Sequence, residues 1–423
     1  MKHASFWMLL ASISSFSSAS PTSNGISSPQ ISNPKVNRHL RPILEKRQEF
    51  DKGEPINAKG NGAPILGGTD KQIDLQNPDN LGAQGTDNGV VPNVKWRFSD
   101  SKTRLLPGGW VREQVITDLP ASKDIAAAQQ HLTKGSIREL HWHRVAEWGY
   151  VYAGKVRVAA VDEHGENQVD DLDVGDIWYF PKGQAHTIQG LDDQNEYLLA
   201  FDDGDFDATG TTFNVDDWIT HTPKDILAKN FGVDESLFDS VPAPNPYILK
   251  SNATDGNVTS PYGKLEGNSS YVYHLSRIQV PQAPGGGGTI AIVDSRNFPI
   301  ATTIAAAVVT LEPHGLRELH WHPNLSEARA TVFLGGALAR SFEFRAGDTA
   351  VFPDNSGHYI ENTSDTEQLI WIELYKSERV ADISLTQWLA LTPPDIVAAT
   401  LKIPLSAVTK LKKEKQILLA ARN

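Results

Sequence analysis

One six-residue string occurs twice in this chain, and the repeat limits the possible folds more than any other feature. Residues 138–143 read RELHWH, and residues 317–322 read the same, 179 positions later. Each copy is followed by Gly-Asp, a proline and a histidine in the same order, at 175–186 in the first half and at 347–358 in the second. Internal repetition of this kind indicates two copies of one structural unit in tandem.

Each repeat begins with short segments of strand-forming residues. Val, Ile, Tyr and Phe predominate, and Gly, Asp and Pro turns separate the segments at close spacing. This pattern predicts antiparallel strands that form a sandwich or a barrel. Each repeat then ends in a predicted helix, which starts near Pro223 in the first and at Pro393 in the second. The expected strands of the first repeat include 150–152, 156–161, 177–180 and 197–201.

The length and composition suit two domains and exclude several classes of protein. A chain of 423 residues, of which 39% are hydrophobic, can form two cores. Its formal charge of -12 argues against a nucleic acid or an anionic membrane as a partner. The chain has no cysteine, which excludes disulfides, zinc-thiolate sites and a cysteine nucleophile.

The N-terminus predicts a secreted protein. A short basic start, an apolar run at 6–16 and small residues at 17–19 are typical of a signal peptide spanning 1–19. Residues 20–47 are polar and end in a Lys-Arg pair, which resembles a propeptide processing site of the fungal secretory pathway. Five Asn-x-Ser/Thr sequons predict a glycoprotein. They lie at Asn252, Asn257, Asn268, Asn324 and Asn362.

The first repeat carries three histidines and one acid in a pattern typical of a metal site. His141 and His143 are two apart in a predicted strand, so their side chains point to the same face. Glu147 follows where the strand bends, and His186 comes from a later strand. Three imidazoles and one carboxylate suit an octahedral divalent ion with open positions, such as manganese or iron.

Two motifs of the first repeat resemble those of the cupin superfamily. Residues 135–154, GSIRELHWHRVAEWGYVYAG, resemble the first cupin motif, and residues 175–186, GDIWYFPKGQAH, resemble the second. The duplicated RELHWH strings are similar to those of the bicupin oxalate decarboxylases in particular. The resemblance implies an all-β fold of two tandem cupin (jelly-roll) barrels, each with C-terminal helices. The expected bounds are 95–245 for barrel 1, 246–269 for the linker and 270–423 for barrel 2.

The same resemblance implies the cofactors, the partners and the ligand sets. Members of that family hold one Mn2+ in each barrel, use O2 with oxalate as substrate, and assemble as trimers stacked into hexamers. A homo-oligomer is therefore expected. The implied ligands of barrel 1 are His141, His143, Glu147 and His186. Those of barrel 2 are His320, His322, Glu327 and His358.

An arginine precedes each histidine pair, and the resemblance implies that it contacts oxalate. Arg138 lies three residues before His141, and Arg317 is its counterpart in barrel 2. A guanidinium beside a divalent ion suits a small dianion, because the metal takes one carboxylate and the arginine takes the other. The predicted function is oxalate decarboxylation, which yields formate and CO2.

The chain departs from that family in the lid beyond the last ligand of barrel 1. Decarboxylases carry a glutamate about 22 residues after that histidine, and such an acid supplies the proton that completes formate. Here the position is Ala208, with Asp207 beside it. Glu373 is expected to be the matching acid of barrel 2, so Asp207 and Glu373 join the two arginines as candidate catalytic residues.

Without a proton donor, oxalate would give CO2 and hydrogen peroxide. Oxalate oxidase is therefore the alternative, and decarboxylation is expected to be weak and favoured at low pH.

Barrel 2 also appears shortened in the sequence. His143 and His186 are 43 positions apart, whereas His322 and His358 are 36 apart. About seven residues are missing after Glu327, roughly one strand. Either the second site is degenerate or a few residues have been lost from the sequence. Two other classes stay open: a storage or binding bicupin without a metal, and a dioxygenase that acts on another small acid.

Overall fold

The computed structural model describes residues 5–9, 85–320 and 328–421. Most of its regular structure is short antiparallel strand, as the strand-forming segments separated by turns predicted. The first half contains β1 Ser5–Leu9, β2 Lys95–Arg97, β3 Arg104–Leu106, β4 Gly109–Gln114, β5 Ala126–Thr133, β6 Ile137–His143, β7 Glu147–Ala153, β8 Val156–Val161, β9 Asn167–Leu172, β10 Ile177–Phe180, β11 Ala185–Gly190, β12 Gln194–Phe201, β13 Thr212–Asn214 and β14 Ile248–Leu249. The second half contains β15 Val272–Tyr273, β16 Gly288–Val293, β17 Ala305–Leu311, β18 Leu316–His320, β19 Ala328–Gly335, β20 Leu338–Phe344, β21 Asp348–Phe352, β22 Gly357–Asn362, β23 Leu369–Tyr375 and β24 Leu418–Leu419.

Barrel 1 consists of two sheets that enclose a hydrophobic core. One sheet has the order β15-β10-β7-β12-β5-β4-β3, and the other has the order β13-β6-β11-β8-β9 with β14 paired to β6. Every second residue of these strands points inward, so the sheets bury one face each against the other. The inward side chains include Val111, Val151, Val158, Trp178, Ile188 and Tyr197.

Barrel 2 repeats this plan. Its sheets have the orders β16-β17-β23-β1-β21-β2 and β20-β19-β22-β18-β24. Its core includes Val309, Val332, Phe342, Phe352, Ile360 and Trp371. The two barrels therefore form the all-β bicupin fold that the resemblance implied.

The barrels exchange short strands and share a third core. β2, at the start of the range expected for barrel 1, pairs with β21 of barrel 2, and β15, at the start of the range expected for barrel 2, pairs with β10 of barrel 1. Apolar residues on the outer faces of the two larger sheets pack together between the barrels. These residues include Ile125, Trp148, Leu198, Ile304, Val351 and Ile372.

One strand position is filled differently in the two barrels. In barrel 1, β7 follows β6 along the chain and lies between β10 and β12. In barrel 2, the position between β21 and β23 is held by β1 from the N-terminus. Residues 321–327 lie outside the described structure, and the next residue, Ala328, already begins β19. β19 pairs with β20 and β22, as β8 pairs with β9 and β11.

Short helices follow each barrel, at the places that the sequence predicted. They are α1 Val215–Thr220, α2 Lys224–Phe231, α3 Leu385–Leu391, α4 Pro394–Leu401 and α5 Leu405–Val408. Leu227 and Val397 are buried, but Ile226 and Ile396 are more than half exposed, so part of the predicted apolar face contacts solvent. Among the residues described, we found no helix with the length and apolarity that a membrane span requires.

Candidate metal centre

Four side chains of barrel 1 converge on one point inside the barrel. His141 and His143 lie on β6, Glu147 begins β7 and His186 lies on β11. One ligand atom from each lies within 4.8 Å of all the others, and all four residues are buried. The Glu147 Oε2 atom is 3.1 Å from His143 Nε2 and 3.3 Å from His186 Nε2. The structure thus brings together the barrel 1 ligand set that the sequence predicted.

Hydrogen bonds orient these side chains so that one atom of each faces the common point. The Nδ1 atoms of His141 and His186 contact the backbone carbonyls of Glu139 and Gln184, at 2.6 and 2.8 Å. His143 Nδ1 contacts Thr212 Oγ1 at 2.9 Å. With Nδ1 engaged, Nε2 carries the lone pair that a metal needs.

The buried atoms of the site that make no hydrogen bond fit a divalent cation. His143 Nε2, His186 Nε2 and Glu147 Oε2 are buried and have no hydrogen-bond partner among the described residues. The other carboxylate oxygen, Glu147 Oε1, accepts a hydrogen bond from Trp178 Nε1 at 2.9 Å. Leaving buried polar atoms unpaired is costly, and a bound cation would satisfy all three at once.

The protonation states also suit metal binding. Burial lowers the pKa of His143 to about 4, against the opposing effect of Glu147. Burial and the positive charge of Arg138 lower the pKa of His141 well below its usual range. Burial alone would raise the pKa of Glu147, but the imidazoles of His186 and His143 bring it below its ordinary value. At neutral pH the site therefore offers neutral imidazoles at His141 and His143 and an ionised carboxylate at Glu147, the forms that bind metal.

Arg138 lies beside this group, on β6, and is 1% exposed. Its Nη1 donates to Asn214 Oδ1 at 3.2 Å, and its guanidinium stacks on the ring of Tyr247 at 3.8 Å. Its Nη2 has no hydrogen-bond partner in the part of the chain that the structure describes. A buried guanidinium with a free N–H edge can bind a carboxylate of a small anion.

The lid segment at 202–211 connects β12 to β13. Asp207 is exposed on it, and partial burial together with Asp205 and Asp118 raises its pKa. Ala208 is partly buried, and its carbonyl accepts hydrogen bonds from the backbone N–H and the hydroxyl of Thr211. The lid position that carries an acid in the family thus lies in an ordered turn here.

Barrel 2 brings together two of its predicted ligands. The rings of His320 and His358 are buried, with centroids 4.6 Å apart. Their Nδ1 atoms contact the carbonyls of Glu318 and Ser356 at 2.5 and 2.8 Å, as in barrel 1. The other two predicted ligands, His322 and Glu327, lie outside the described residues. The second ligand set therefore stays a prediction.

Arg317 is the counterpart of Arg138, but its surroundings are acidic. Its Nη2 donates to Asp382 Oδ2 at 2.7 Å, and its Nε lies 3.6 Å from Glu373 Oε1. Asp382 also pairs with Lys415. Burial alone would raise the pKa of Asp382, but Arg317 and Lys415 lower it to about 2. Two carboxylates therefore face the guanidinium of Arg317.

The position of Glu373 corrects the sequence-based assignment. Glu373 lies on β23 and pairs with Ala307 of β17, just as Leu199 of β12 pairs with Ala128 of β5. It matches Leu199 and not Ala208 of the lid. Glu373 lies 15 residues after His358, whereas Ala208 lies 22 residues after His186, so the two positions are not equivalent. Glu373 is fully buried and accepts a hydrogen bond from Trp371 Nε1 at 3.2 Å.

Sequence reasoning missed three neighbours of the site: Tyr247, Asn214 and Trp178. Tyr247 lies far along the chain from Arg138, and its backbone is left-handed, with φ of 61°. Neither the distance of Tyr247 from Arg138 in the sequence nor its residue type indicated a role at this site. Trp178 was visible inside the second cupin motif, two residues after Asp176, but its contact with Glu147 depends on the pairing of β7 with β10.

Comparisons with known proteins agree with this arrangement. The Cupin family matches residues 100–237 and 279–408. A probable oxalate decarboxylase of Arthroderma benhamiae is 60% identical over 377 residues, which cover 87% of this chain and 93% of that protein. Oxalate decarboxylase OxdC of Bacillus subtilis is 41% identical over 381 residues, 87% of this chain and 97% of that protein. A solved structure of oxalate decarboxylase from B. subtilis matches with a TM-score of 0.80 and 39% identity, over 88% of this chain and 100% of that chain.

These matches cover both barrels and exceed what fold similarity alone would give. The chain belongs to the cupin family and, within it, to the bicupin oxalate decarboxylases.

Proposed function

We propose that this protein converts oxalate to formate and CO2 in barrel 1. The observation that carries the proposal is the complete buried group of three histidines and one glutamate beside Arg138. The relatives named as oxalate decarboxylases support oxalate as the substrate. One carboxylate of oxalate would bind at the metal, and the Nη2 edge of Arg138 would hold the other.

Manganese is the metal that we propose, with O2 as co-substrate. A structural study of the B. subtilis enzyme concerns its Mn(II) centres, and the mixed nitrogen and oxygen ligands here suit the same ion. A bound manganese ion would supply Lewis-acid and one-electron chemistry. The protein's own contribution is to fix the ligands, through Thr212 and Trp178, and to hold the substrate with Arg138.

Oxalate oxidation is the second candidate, because Ala208 stands where the family carries its lid acid. An alanine cannot donate a proton, so the fragment left after loss of CO2 would depend on another acid. Asp207 is next to it but is exposed. The two activities consume the same substrate and differ in their products.

We also propose that the protein is secreted and glycosylated, as its N-terminus and sequons predicted. Asn252, Asn257 and Asn268 are exposed, and they are the proposed glycan acceptors. Asn362 is 1% exposed, and its amide donates to the carbonyls of Leu311, Glu312 and Glu367. Its nitrogen is therefore inaccessible in the folded protein. Asn324 lies outside the described residues.

A homo-oligomer, a trimer or hexamer by resemblance, is the proposed assembly. Large apolar side chains on the helices are exposed in the single chain, and burying them between copies would be favourable. Related positions of the two barrels contribute equally to this surface. The residues are Trp218, Ile226 and Phe231 after barrel 1, and Trp388, Ile396 and Leu401 after barrel 2.

Product analysis tests the proposed function. The purified protein, loaded with manganese, is incubated with oxalate in air, and formate, hydrogen peroxide and oxalate are measured. About one formate per oxalate with little peroxide supports the decarboxylase. Peroxide without formate means the oxidase, and unchanged oxalate contradicts both.

A further inference from the structure

A carboxyl group with no assigned role lies in the interior of barrel 1. Glu113 is on β4, between Val111 and Val115, which both belong to the core of this barrel. Because side chains alternate along a strand, Glu113 points to the same interior. Its cross-strand partner is Ala128, which belongs to the core of the same barrel.

The charges around Glu113 are those of the substrate region. Arg138, Arg104, Asp118 and the lid residue Asp207 all act on its carboxyl group. Tyr247 connects the same groups, because its ring lies 3.8 Å from the Arg138 guanidinium and 4.5 Å from that of Arg104. Glu113 therefore lies on the inward face of β4, in the same charged region as Arg138 and the lid residue Asp207.

The Glu113 carboxyl is not engaged elsewhere. It makes no hydrogen bond or ion pair of 4 Å or less with any residue that the structure describes. The residue is only partly buried, so its carboxyl can exchange protons with water. An acid that is held neither by a salt bridge nor by a hydrogen bond is free to transfer its proton.

The environment favours the protonated form. Burial and the Asp207 carboxylate raise the pKa of Glu113, and the effects of Arg104 and Arg138 in the opposite direction are smaller. A raised pKa extends the pH range in which a carboxylic acid can act as a general acid.

The same position in barrel 2 has no acid. β16 matches β4, since it pairs with β17 as β4 pairs with β5, and Ile292 pairs with Ala307 as Glu113 pairs with Ala128. The acid thus occurs only in the barrel with the complete metal group. That barrel also has Ala208 in its lid, so its chemistry needs a proton from elsewhere.

We propose that Glu113 is the proton donor that completes formate in barrel 1, an inference that rests on the proposed function. When the C–C bond of bound hydrogen oxalate breaks, one carbon leaves as CO2 and the other keeps the bonding electrons. That carbon takes the proton of Glu113 to form the C–H bond of formate. Water then carries the O–H proton of the original hydrogen oxalate back to Glu113, so hydrogen oxalate gives formate and CO2 with no other reductant or oxidant consumed.

The test compares products from four variants with those of the native protein: Glu113→Gln, Glu113→Asp, Asp207→Asn and the double variant Glu113→Gln/Ala208→Glu. Glu113→Gln should lower the rate of formate formation by roughly 100-fold or more, the usual contribution of a general acid, with manganese content unchanged. Peroxide per oxalate consumed should rise. Glu113→Asp should keep part of the formate activity, and the double variant should recover formate because the lid then carries an acid.

Glu196→Gln is the matched control, because it removes a carboxylate from the outer face of the same sheet, where Glu196 contacts Tyr152. It should leave the product ratio unchanged. If the native protein makes formate and Glu113→Gln keeps the native ratio, Glu113 is not the donor. If only Asp207→Asn changes the ratio, the lid aspartate is the donor instead. A native protein that leaves oxalate unchanged would refute the proposed function itself.

Discussion

Barrel 1 and barrel 2 share their strand plan and the RELHWH string, yet they place that string in different surroundings. In barrel 1 the arginine of the string contacts an amide oxygen, an aromatic ring and one carboxylate, those of Asn214, Tyr247 and Glu139. In barrel 2 it contacts two carboxylates, Glu373 and Asp382. The first guanidinium is balanced by one carboxylate and the second by two, so the first has more of its charge available for an anion. The repeated residues define the site, but the residues that are not repeated decide what the site can bind.

The strand next to the metal group shows the same contrast. In barrel 1, β7 supplies Glu147 at the register position opposite Phe180 and Phe201. In barrel 2, β1 holds this place, and the residue opposite Phe352 and Tyr375 is Ser5. β1 also lies inside the predicted signal peptide at 1–19, so a processed chain would lack it. In the described structure this register position carries Ser5 and no acidic residue, so we expect barrel 2 to bind metal less well.

The largest difference between the two barrels is expected when one histidine is removed from each. His141→Ala should lower oxalate turnover by more than about 100-fold. Substituting a residue that only hydrogen-bonds to a metal ligand already lowers activity by up to about 100-fold, so loss of a ligand should cost more. His320→Ala should leave turnover within a few-fold of native. The measurement is the steady-state rate of oxalate consumption, normalised to folded protein. Equal losses in both variants would show that both barrels carry the chemistry.

The two arginines should respond differently to the same substitution. Arg138→Lys keeps the charge but loses the planar fork, so kcat/KM for oxalate should fall by about 10- to 100-fold with metal content unchanged. Arg317→Lys should change kcat/KM little. It should destabilise the protein by about 3 kcal/mol, because it disturbs a buried ion-pair network. Kinetics and urea unfolding measure the two effects, and loss of metal in Arg138→Lys would make Arg138 structural.

The buried imidazoles should determine the pH at which barrel 1 loses its metal. Protons compete with the metal only where the ligands protonate, and the pKa of His143 is about 4 rather than the ordinary value near 6.5. Barrel 1 should therefore keep its metal as pH falls from 7 to about 5 and lose it as pH falls through about 4. Dialysis at each pH followed by metal analysis checks this, and half-loss near pH 6.5 would contradict it.

The smallest expected effect concerns the missing strand. Inserting a seven- or eight-residue strand after Glu327 should raise the Tm by a few degrees, because it would fill the position between β21 and β23 with a covalently connected strand. The same insertion placed in the exposed linker near Asn257 is the control. An unchanged or lower Tm would mean that barrel 2 does not need this strand.

Much of barrel 1 could be predicted from the sequence because its determinants are local. Alternating apolar residues set the strands, and His141 and His143 face inward because they are two apart on β6. The part that could not be predicted depends on distant pairing. Glu113 and Tyr247 reach the substrate region from other segments, and no spacing connects them to Arg138. The position of Glu373 opposite Ala307 and the contact of Asp382 with Arg317 likewise depend on strand pairing and packing that no local pattern shows.

The central claim, that barrel 1 alone forms the working metal site, is tested most directly by diffraction at the manganese absorption edge. Crystals of the manganese-loaded protein should show one strong anomalous peak among His141, His143, Glu147 and His186, with metal–ligand distances of about 2.0–2.3 Å. The metal content of the same sample should be closer to one ion per chain than two. Anomalous peaks of equal height in the two barrels, or a peak in barrel 2 alone, would contradict the claim.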